Sequence, residues 1–150
     1  MKVSEYIEAF FNAPLIRFSC EEMTAILKTA KMMAFADGQK TSDEKELIQN
    51  YLRHFGITID ALQSQTLELF TNQMAGAGAI TILSKMSIEQ KKYVSGYLIA
   101  VLVPEGQVNQ RVFELWSLVS MLADFPILSV NDAVDFWLIN HSSVWYECES

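Results

Sequence analysis

Apolar residues recur with a helical period along most of the chain. After Ser19 they fall three or four positions apart, which places them on one face of a helix. This first stripe consists of Met23, Ile26, Leu27, Ala30, Met33 and Ala34. A second stripe consists of Leu47, Ile48, Tyr51, Leu52 and Phe55, and it ends at Gly56. Each stripe predicts an amphipathic helix with one buried face.

Four later segments show the same period. Their apolar members are Ile59, Leu62, Leu69 and Phe70; then Val94, Tyr97, Leu98, Val101 and Leu102; then Val112, Leu115, Trp116, Val119 and Leu122; and last Val130, Ala133, Val134, Trp137 and Leu138. The glycines of Gly76-Ala77-Gly78 indicate a flexible break between helices, and a short apolar run, 79–83, follows them. No hairpin dipeptide lies between alternating apolar residues, so strands are not predicted.

Helix-start signals precede these segments. Ser19 with Glu22, Thr41 with Glu44, and Ser87 with Gln90 have the spacing of a capping box. The other predicted N-caps are Thr58, Asn109 and Ser129. Because the links are short, consecutive helices should run antiparallel. The sequence therefore predicts one all-α domain over residues 1–150, a bundle of about six to eight helices with the C-terminal part, 125–150, docked on it.

The net charge of the chain limits the classes of function that the sequence allows. The chain has 150 residues and a formal net charge of −7, and positions 112–150 hold six acids and no lysine or arginine. A nucleic-acid surface needs clustered cations, so that class is excluded. The acidic quarter either attracts a basic partner or a cation, or it is a solvated face.

Membrane and redox chemistry are also not indicated by the sequence. The best candidate for a membrane span, Tyr93 to Val103, is too short to cross a bilayer. Acids interrupt the first eight positions, where a secretion signal would need apolar residues. A cytoplasmic location is therefore predicted. The two cysteines, Cys20 and Cys148, are too few for a disulfide framework, and a chain of this length does not need one to fold.

Two links between helices resemble each other. Asp37-Gly38-Gln39 and Glu105-Gly106-Gln107 stand 68 positions apart, and each is followed by one residue and an N-cap. The flanking stripes match in period, which predicts two helical hairpins related by duplication.

A family resemblance starts from the first link. The stretch Met33-Ala34-Phe35-Ala36-Asp37-Gly38, with Glu44 seven positions after Asp37, resembles the signature of the TerB-like family of bacterial tellurite-resistance and stress-associated proteins. The resemblance covers about residues 19–124. It implies an all-helical domain in the bacterial cytoplasm or peripheral to the inner membrane. It also implies a divalent-cation site (Ca²⁺, Mg²⁺ or Mn²⁺) made by loop acids.

Carried over to this chain, the resemblance points to Asp37, Glu44 and Glu105 as metal ligands. The chain departs from the family pattern at Lys40, where an apolar residue is usual, and at Val112, which stands in the slot that corresponds to Glu44. The same residues also have a purely structural interpretation, in which a left-handed glycine after Asp37 ends one helix and Glu44 completes the capping box of the next.

The sequence leaves three functions open. The first is a non-enzymatic, TerB-like stress-response module that contacts a protein partner, with a cation at the links. The second is a ligand-free adaptor or self-associating protein. The third, less favoured because no nucleophile or poised base is present, is a small metal-dependent hydrolase that uses the same three acids. The side chains available for a partner groove are Met32, Met33, Phe35, Trp116, Trp137 and Trp145, and core packing is their alternative role.

Overall fold

The structure is a computed structural model that describes residues 16–36, 44–57, 60–102 and 110–147. Within these ranges the chain forms seven α-helices and two short strands. The elements are β1 (Ile16–Ser19), α1 (Cys20–Ala36), α2 (Glu44–Phe55), α3 (Ala61–Gln73), α4 (Gly76–Ser84), α5 (Ile88–Leu102), α6 (Gln110–Leu122), α7 (Val130–Asn140) and β2 (Val144–Glu147). The predicted all-α bundle of six to eight helices is confirmed.

Helices α1 and α5 form the centre of the bundle. The whole predicted stripe of α1, from Met23 to Ala34, is buried, and so are Val94, Tyr97 and Leu98 of α5. Helix α1 packs on α3, α4 and α5, while α5 packs on α2, α6 and α7. Both central helices begin with the predicted capping box, because Glu22 N donates to Ser19 Oγ at 3.1 Å and Gln90 N donates to Ser87 Oγ at 3.2 Å.

The two strands were not predicted. They pair in parallel, with a register that runs from Ile16 beside Val144 to Ser19 beside Glu147. In β1 the side chains alternate, since Ile16 and Phe18 are buried and the residues between them are exposed. Pairing with a strand more than 120 residues later leaves no local signal, so the sequence contained no hairpin to detect.

An aromatic cluster fills the space between β1, α2 and α5. The ring of Phe55 meets those of Phe18, Tyr93 and Tyr97 edge to face, with centroids 4.9–5.0 Å apart. The hydroxyl of Tyr93 donates to the Phe55 carbonyl, and that of Tyr97 donates to the Tyr51 carbonyl at 2.9 Å. These side chains of α5 therefore both pack against the end of α2 and hydrogen-bond to its carbonyl groups.

Alkaline pH should destabilise the protein through Tyr51. Its buried hydroxyl has no hydrogen-bond partner among the described residues, and burial raises its pKa from 10.0 to about 12. Because the unfolded chain then loses the proton first, the free energy of unfolding is highest below pH 10 and falls between pH 10 and about 12. Urea unfolding measured from pH 8 to about 12 checks this trend.

The substitution Tyr51→Phe should make that decline shallower. It should also leave stability near neutral pH unchanged or higher, because it removes a buried polar group without a partner. A decline as steep as that of the wild type would contradict this role for Tyr51. The hydroxyls of Tyr93 and Tyr97 remain in the variant, and since burial raises the pKa of both, part of the decline should persist.

Three predictions about the middle of the chain are wrong. Thr58 lies outside the described residues, and α3 begins instead after Asp60, which forms a capping box with Gln63. The predicted inner face of α3 is also turned outward, because Leu62, Leu69 and Phe70 are exposed, whereas the residues Ser64, Leu67 and Thr71 are buried. The glycines 76 and 78 do not break the chain but lie in the first turn of α4.

Two helices end in the same left-handed turn. After α2, Gly56 has φ 99°, and Ile57 N donates to Leu52 O at 3.0 Å. After α6, Asp124 has φ 54°, and Phe125 N donates to Ser120 O at 2.8 Å. Both have the hydrogen-bond pattern of a Schellman motif. The left-handed residue after α2 is a glycine, which marks the end of that helix in the sequence. The left-handed residue after α6 is an aspartate, so this second turn was not predicted.

Candidate functional site

The predicted cation site cannot be located in the described part of the chain. Asp37 and Glu105 lie outside the described residues, as do Lys40 and the predicted N-caps Thr41 and Asn109. Glu44 is the first residue of α2, but its side chain is not among those described. Among the described side chains, no group of three or more histidine, cysteine, aspartate or glutamate residues is placed to hold a metal ion.

An apolar groove runs between α6, the link that follows it and α7. Its cavity measures about 660 Å³. Trp116 and Phe125 form the buried floor, at 5% and 6% exposure, while Phe113 and Met121 of α6 and Ile127 of the link form walls that water reaches. Ile127 is fully exposed. A concave apolar surface with aromatic side chains is typical of a site that binds another molecule.

The floor of the groove is fixed by contacts with the bundle. The indole nitrogen of Trp116 donates to the Ser95 carbonyl of α5 at 3.0 Å, and the Trp116 ring lies 6.0 Å from that of Phe113. One wall is fixed by the turn at Asp124, which directs the link 125–129 away from the axis of α6. Helix α7 then begins at a confirmed N-cap, since Asp132 N donates to Ser129 Oγ at 3.1 Å. Each side of the groove is thus held by hydrogen bonds.

The surroundings of the groove are acidic. Asp124 lines it, and its side chain is 92% exposed. Glu114 on α6 and both Asp132 and Asp135 on α7 are exposed on the elements that form the walls. Lys91 approaches Asp124 with an N–O distance of 3.9 Å, but only 8% of the lysine side chain is exposed. Among the described residues that line the groove, Asp124 is the one that carries a charge, and the wall helix α6 also carries an exposed cation, Arg111.

A second cavity of about 660 Å³ lies between β1, the start of α5 and α7. Its lining residue Gln90 hydrogen-bonds to three other residues of the protein. The Gln90 amide donates to the Arg17 carbonyl at 2.6 Å and to Glu22 Oε2 at 3.1 Å, while its oxygen accepts from Ser87 N at 2.9 Å. Gln90 therefore links β1 to the start of α5, while Arg17 and Glu89 also line the cavity.

The sequence identified only part of the groove. Trp116 was a predicted groove or core residue and is both, since it is buried and lines the cavity. Leu122 was predicted to lie in the core but is 55% exposed. Phe113, Met121 and Ile127 were not predicted, because no period relates a helix face to an irregular link. Of the other groove candidates, Met33 is buried, whereas Phe35 and Trp145 are exposed.

The structure also changes the interpretation of the cysteines. Cys20 is disulfide-bonded, whereas the sequence analysis predicted no need for such a bond. Its sulfur also accepts a hydrogen bond from the Tyr146 hydroxyl at 3.7 Å. Cys20 and Tyr146 are half-buried and pack on the core. A side-chain hydrogen bond therefore joins the start of α1 to β2, next to the backbone pairing of β1 with β2.

Comparisons with known proteins found a solved structure with a similar fold. No protein-family model matches the chain, and no curated protein matches it in sequence. Among solved structures, it is similar to the crystal structure of a protein of unknown function, PG1108 from Porphyromonas gingivalis W83. The TM-score is 0.67 at 28% identity, over 85% of this chain and 95% of that chain. The architecture therefore also occurs in a second protein.

Proposed function

We propose that the protein is a non-enzymatic binding module whose partner is a basic amphipathic helix of another protein. The proposal rests on one observation, the exposed apolar groove between α6 and α7. A helix that docks in such a groove inserts apolar side chains spaced three or four positions apart. Phe113, Met121 and Ile127 are the wall residues that would contact them.

Charge favours a basic partner over a second copy of the chain. The acids Glu114, Asp124 and Asp132 on the groove elements would repel the same acids of a second copy. Lysine or arginine residues that flank an apolar face would be attracted to them. The sequence adds to this complementarity, since positions 112–150 contain no lysine or arginine.

A synthetic peptide tests the proposal directly. The probe is a labelled amphipathic helix of about 18 residues with one leucine face and lysine elsewhere, and fluorescence anisotropy measures its binding. We expect a micromolar dissociation constant that rises with salt, because part of the attraction is electrostatic. The same peptide with glutamate in place of lysine should not bind. Equal binding of both peptides would contradict a charge-selective groove.

A pair of variants locates the binding surface. Met121→Lys places a cation in the groove, whereas Leu62→Lys makes the same change in charge on α3. The two residues are 71% and 73% exposed, so neither substitution should affect folding. We expect Met121→Lys to weaken binding of the lysine peptide about tenfold or more, and Leu62→Lys to change it less than about twofold. Equal effects, or dimerisation of the wild type through the groove in light scattering, would overturn the proposal.

The TerB-like kinship, the stress-response role, the cytoplasmic location and the cation remain predictions of the sequence. They have a separate test, because a cation that binds only the folded state must raise the melting temperature. Millimolar Ca²⁺, Mg²⁺ or Mn²⁺ should raise it in the wild type and not in Asp37→Asn. In the described part of the chain, no helix is both long and apolar enough to cross a membrane.

A further inference from the structure

The two cysteines of the chain each follow, in the sequence, a residue of the last described pair of the small sheet. Ser19 lies beside Glu147 as the last described pair of the parallel ladder. Cys20 directly follows Ser19 in the sequence, and Cys148 directly follows Glu147. Cys20 is disulfide-bonded, and the chain contains one other cysteine. The composition therefore leaves Cys148 as the partner of Cys20 within the chain.

The surroundings of Cys20 suit reversible thiol chemistry. Cys20 is the first residue of the 17-residue helix α1. The hydroxyl of Tyr146 donates to its sulfur. Burial raises the pKa of Tyr146, so the hydroxyl keeps its proton over the physiological range and remains a donor. The neighbouring carboxylate of Glu22 accepts hydrogen bonds from Ser19 N and from the Gln90 amide.

We propose that Cys20 and Cys148 form a reversible disulfide, a redox modification site whose oxidant is a low-molecular-weight disulfide such as glutathione disulfide. The Cys20 thiolate attacks one sulfur of glutathione disulfide, which releases one glutathione and leaves a mixed disulfide on Cys20. The Cys148 thiolate then attacks the Cys20 sulfur and releases the second glutathione. Two thiols of the protein are oxidised and one glutathione disulfide is reduced, with two protons released from the protein thiols and taken up by the two glutathione thiolates.

The bond closes a loop of roughly 130 residues, so its effect on stability should be large. We expect the oxidised full-length protein to melt about 4–16 °C higher than the reduced protein. Reduction should also speed amide hydrogen exchange in β1 and β2 while leaving the centre of α5 protected. The double variant Cys20→Ser, Cys148→Ser should melt like the reduced wild type and should not respond to reductant, which separates loss of the bond from other effects of the reductant.

Mass spectrometry and thiol counting test the chemistry on the full-length chain. After reduction and treatment with glutathione disulfide, the wild type should have no free thiol and no attached glutathione, and should remain monomeric. The variant Cys148→Ser should retain one glutathione on Cys20, because the second step is blocked. Two free thiols in the treated wild type, stable glutathione on both cysteines, or a disulfide-linked dimer would each overturn the proposal.

Discussion

Phe55→Ala should lower the free energy of unfolding by about 3–5 kcal/mol. The Phe55 side chain is fully buried and contacts the rings of Phe18, Tyr93 and Tyr97 edge to face, so its removal leaves a cavity and removes three aromatic contacts. For a chain of this length the melting temperature should fall by about 6–20 °C. Calorimetry or urea unfolding, followed by circular dichroism, measures the change.

Phe35→Ala is the matched control for this substitution. Phe35 is 55% exposed at the end of α1, where the Lys31 ammonium lies 5.9 Å from its ring. The same truncation there should cost less than about 1 kcal/mol. Similar losses in the two variants would show that the cluster around Phe55 does not join β1, α2 and α5 in the way described.

Gly96→Ala should lower the free energy of unfolding by about 2 kcal/mol or more. A β-carbon on Gly96 of α5 would stand 2.0 Å from the Ala133 carbonyl oxygen and 2.8 Å from Trp137 Cβ, both on α7. Backbone cannot move aside as a side chain can, so the two helices must separate. The gain in helix propensity, about 1 kcal/mol, is too small to offset that cost. Thermal unfolding should show a decrease of about 4–8 °C.

Gly78→Ala makes the same substitution where there is space. No atom lies within 4 Å of a β-carbon built on Gly78, which is exposed in α4. We expect this variant to be more stable than the wild type by about 0.5–1 kcal/mol, because alanine restricts the unfolded chain and favours the helix. If both glycine variants shift the melting temperature in the same direction, close packing of α5 on α7 is not the cause.

The bundle could be predicted where burial follows hydrophobicity. In α1 every member of the apolar stripe is buried, and the capping boxes at Ser19 and Ser87 mark the true helix starts. In α3 the rule fails because the helix turns Ser64 and Thr71 inward. Thr71 can be buried because its hydroxyl donates to the Leu67 carbonyl at 2.6 Å, a bond that a hydrophobic period cannot reveal.

The sequence interpretation was wrong about Gly76 and missed the two strands, for different reasons. Gly76 marks a close approach and not a break, because a β-carbon there would stand 2.5 Å from the Met32 sulfur. Strands β1 and β2 have four residues each, and their pairing depends on the whole intervening bundle. A short window of sequence shows neither which side chain packs against a glycine nor which distant strand pairs with a given strand.

The candidate groove was harder to predict than the helices that form it. Its walls combine a helix face with the irregular link around Ile127, and their relative position depends on the turn at Asp124. A left-handed residue after a helix is usually glycine, so an aspartate there gives no warning in the sequence. The predicted cation ligands Asp37 and Glu105 lie outside the described residues, and that site stays a prediction.

The left-handed turn at Asp124 also bears on how tightly the groove would bind a ligand. Hydrogen bonds of the turn hold Phe125, in the floor of the groove, in place before any partner arrives. A binding surface that is already ordered in the free protein loses little conformational entropy when the complex forms. The ordering cost then falls on the incoming peptide, so a peptide stapled into a helix in advance should associate with the same protein more tightly than its flexible counterpart.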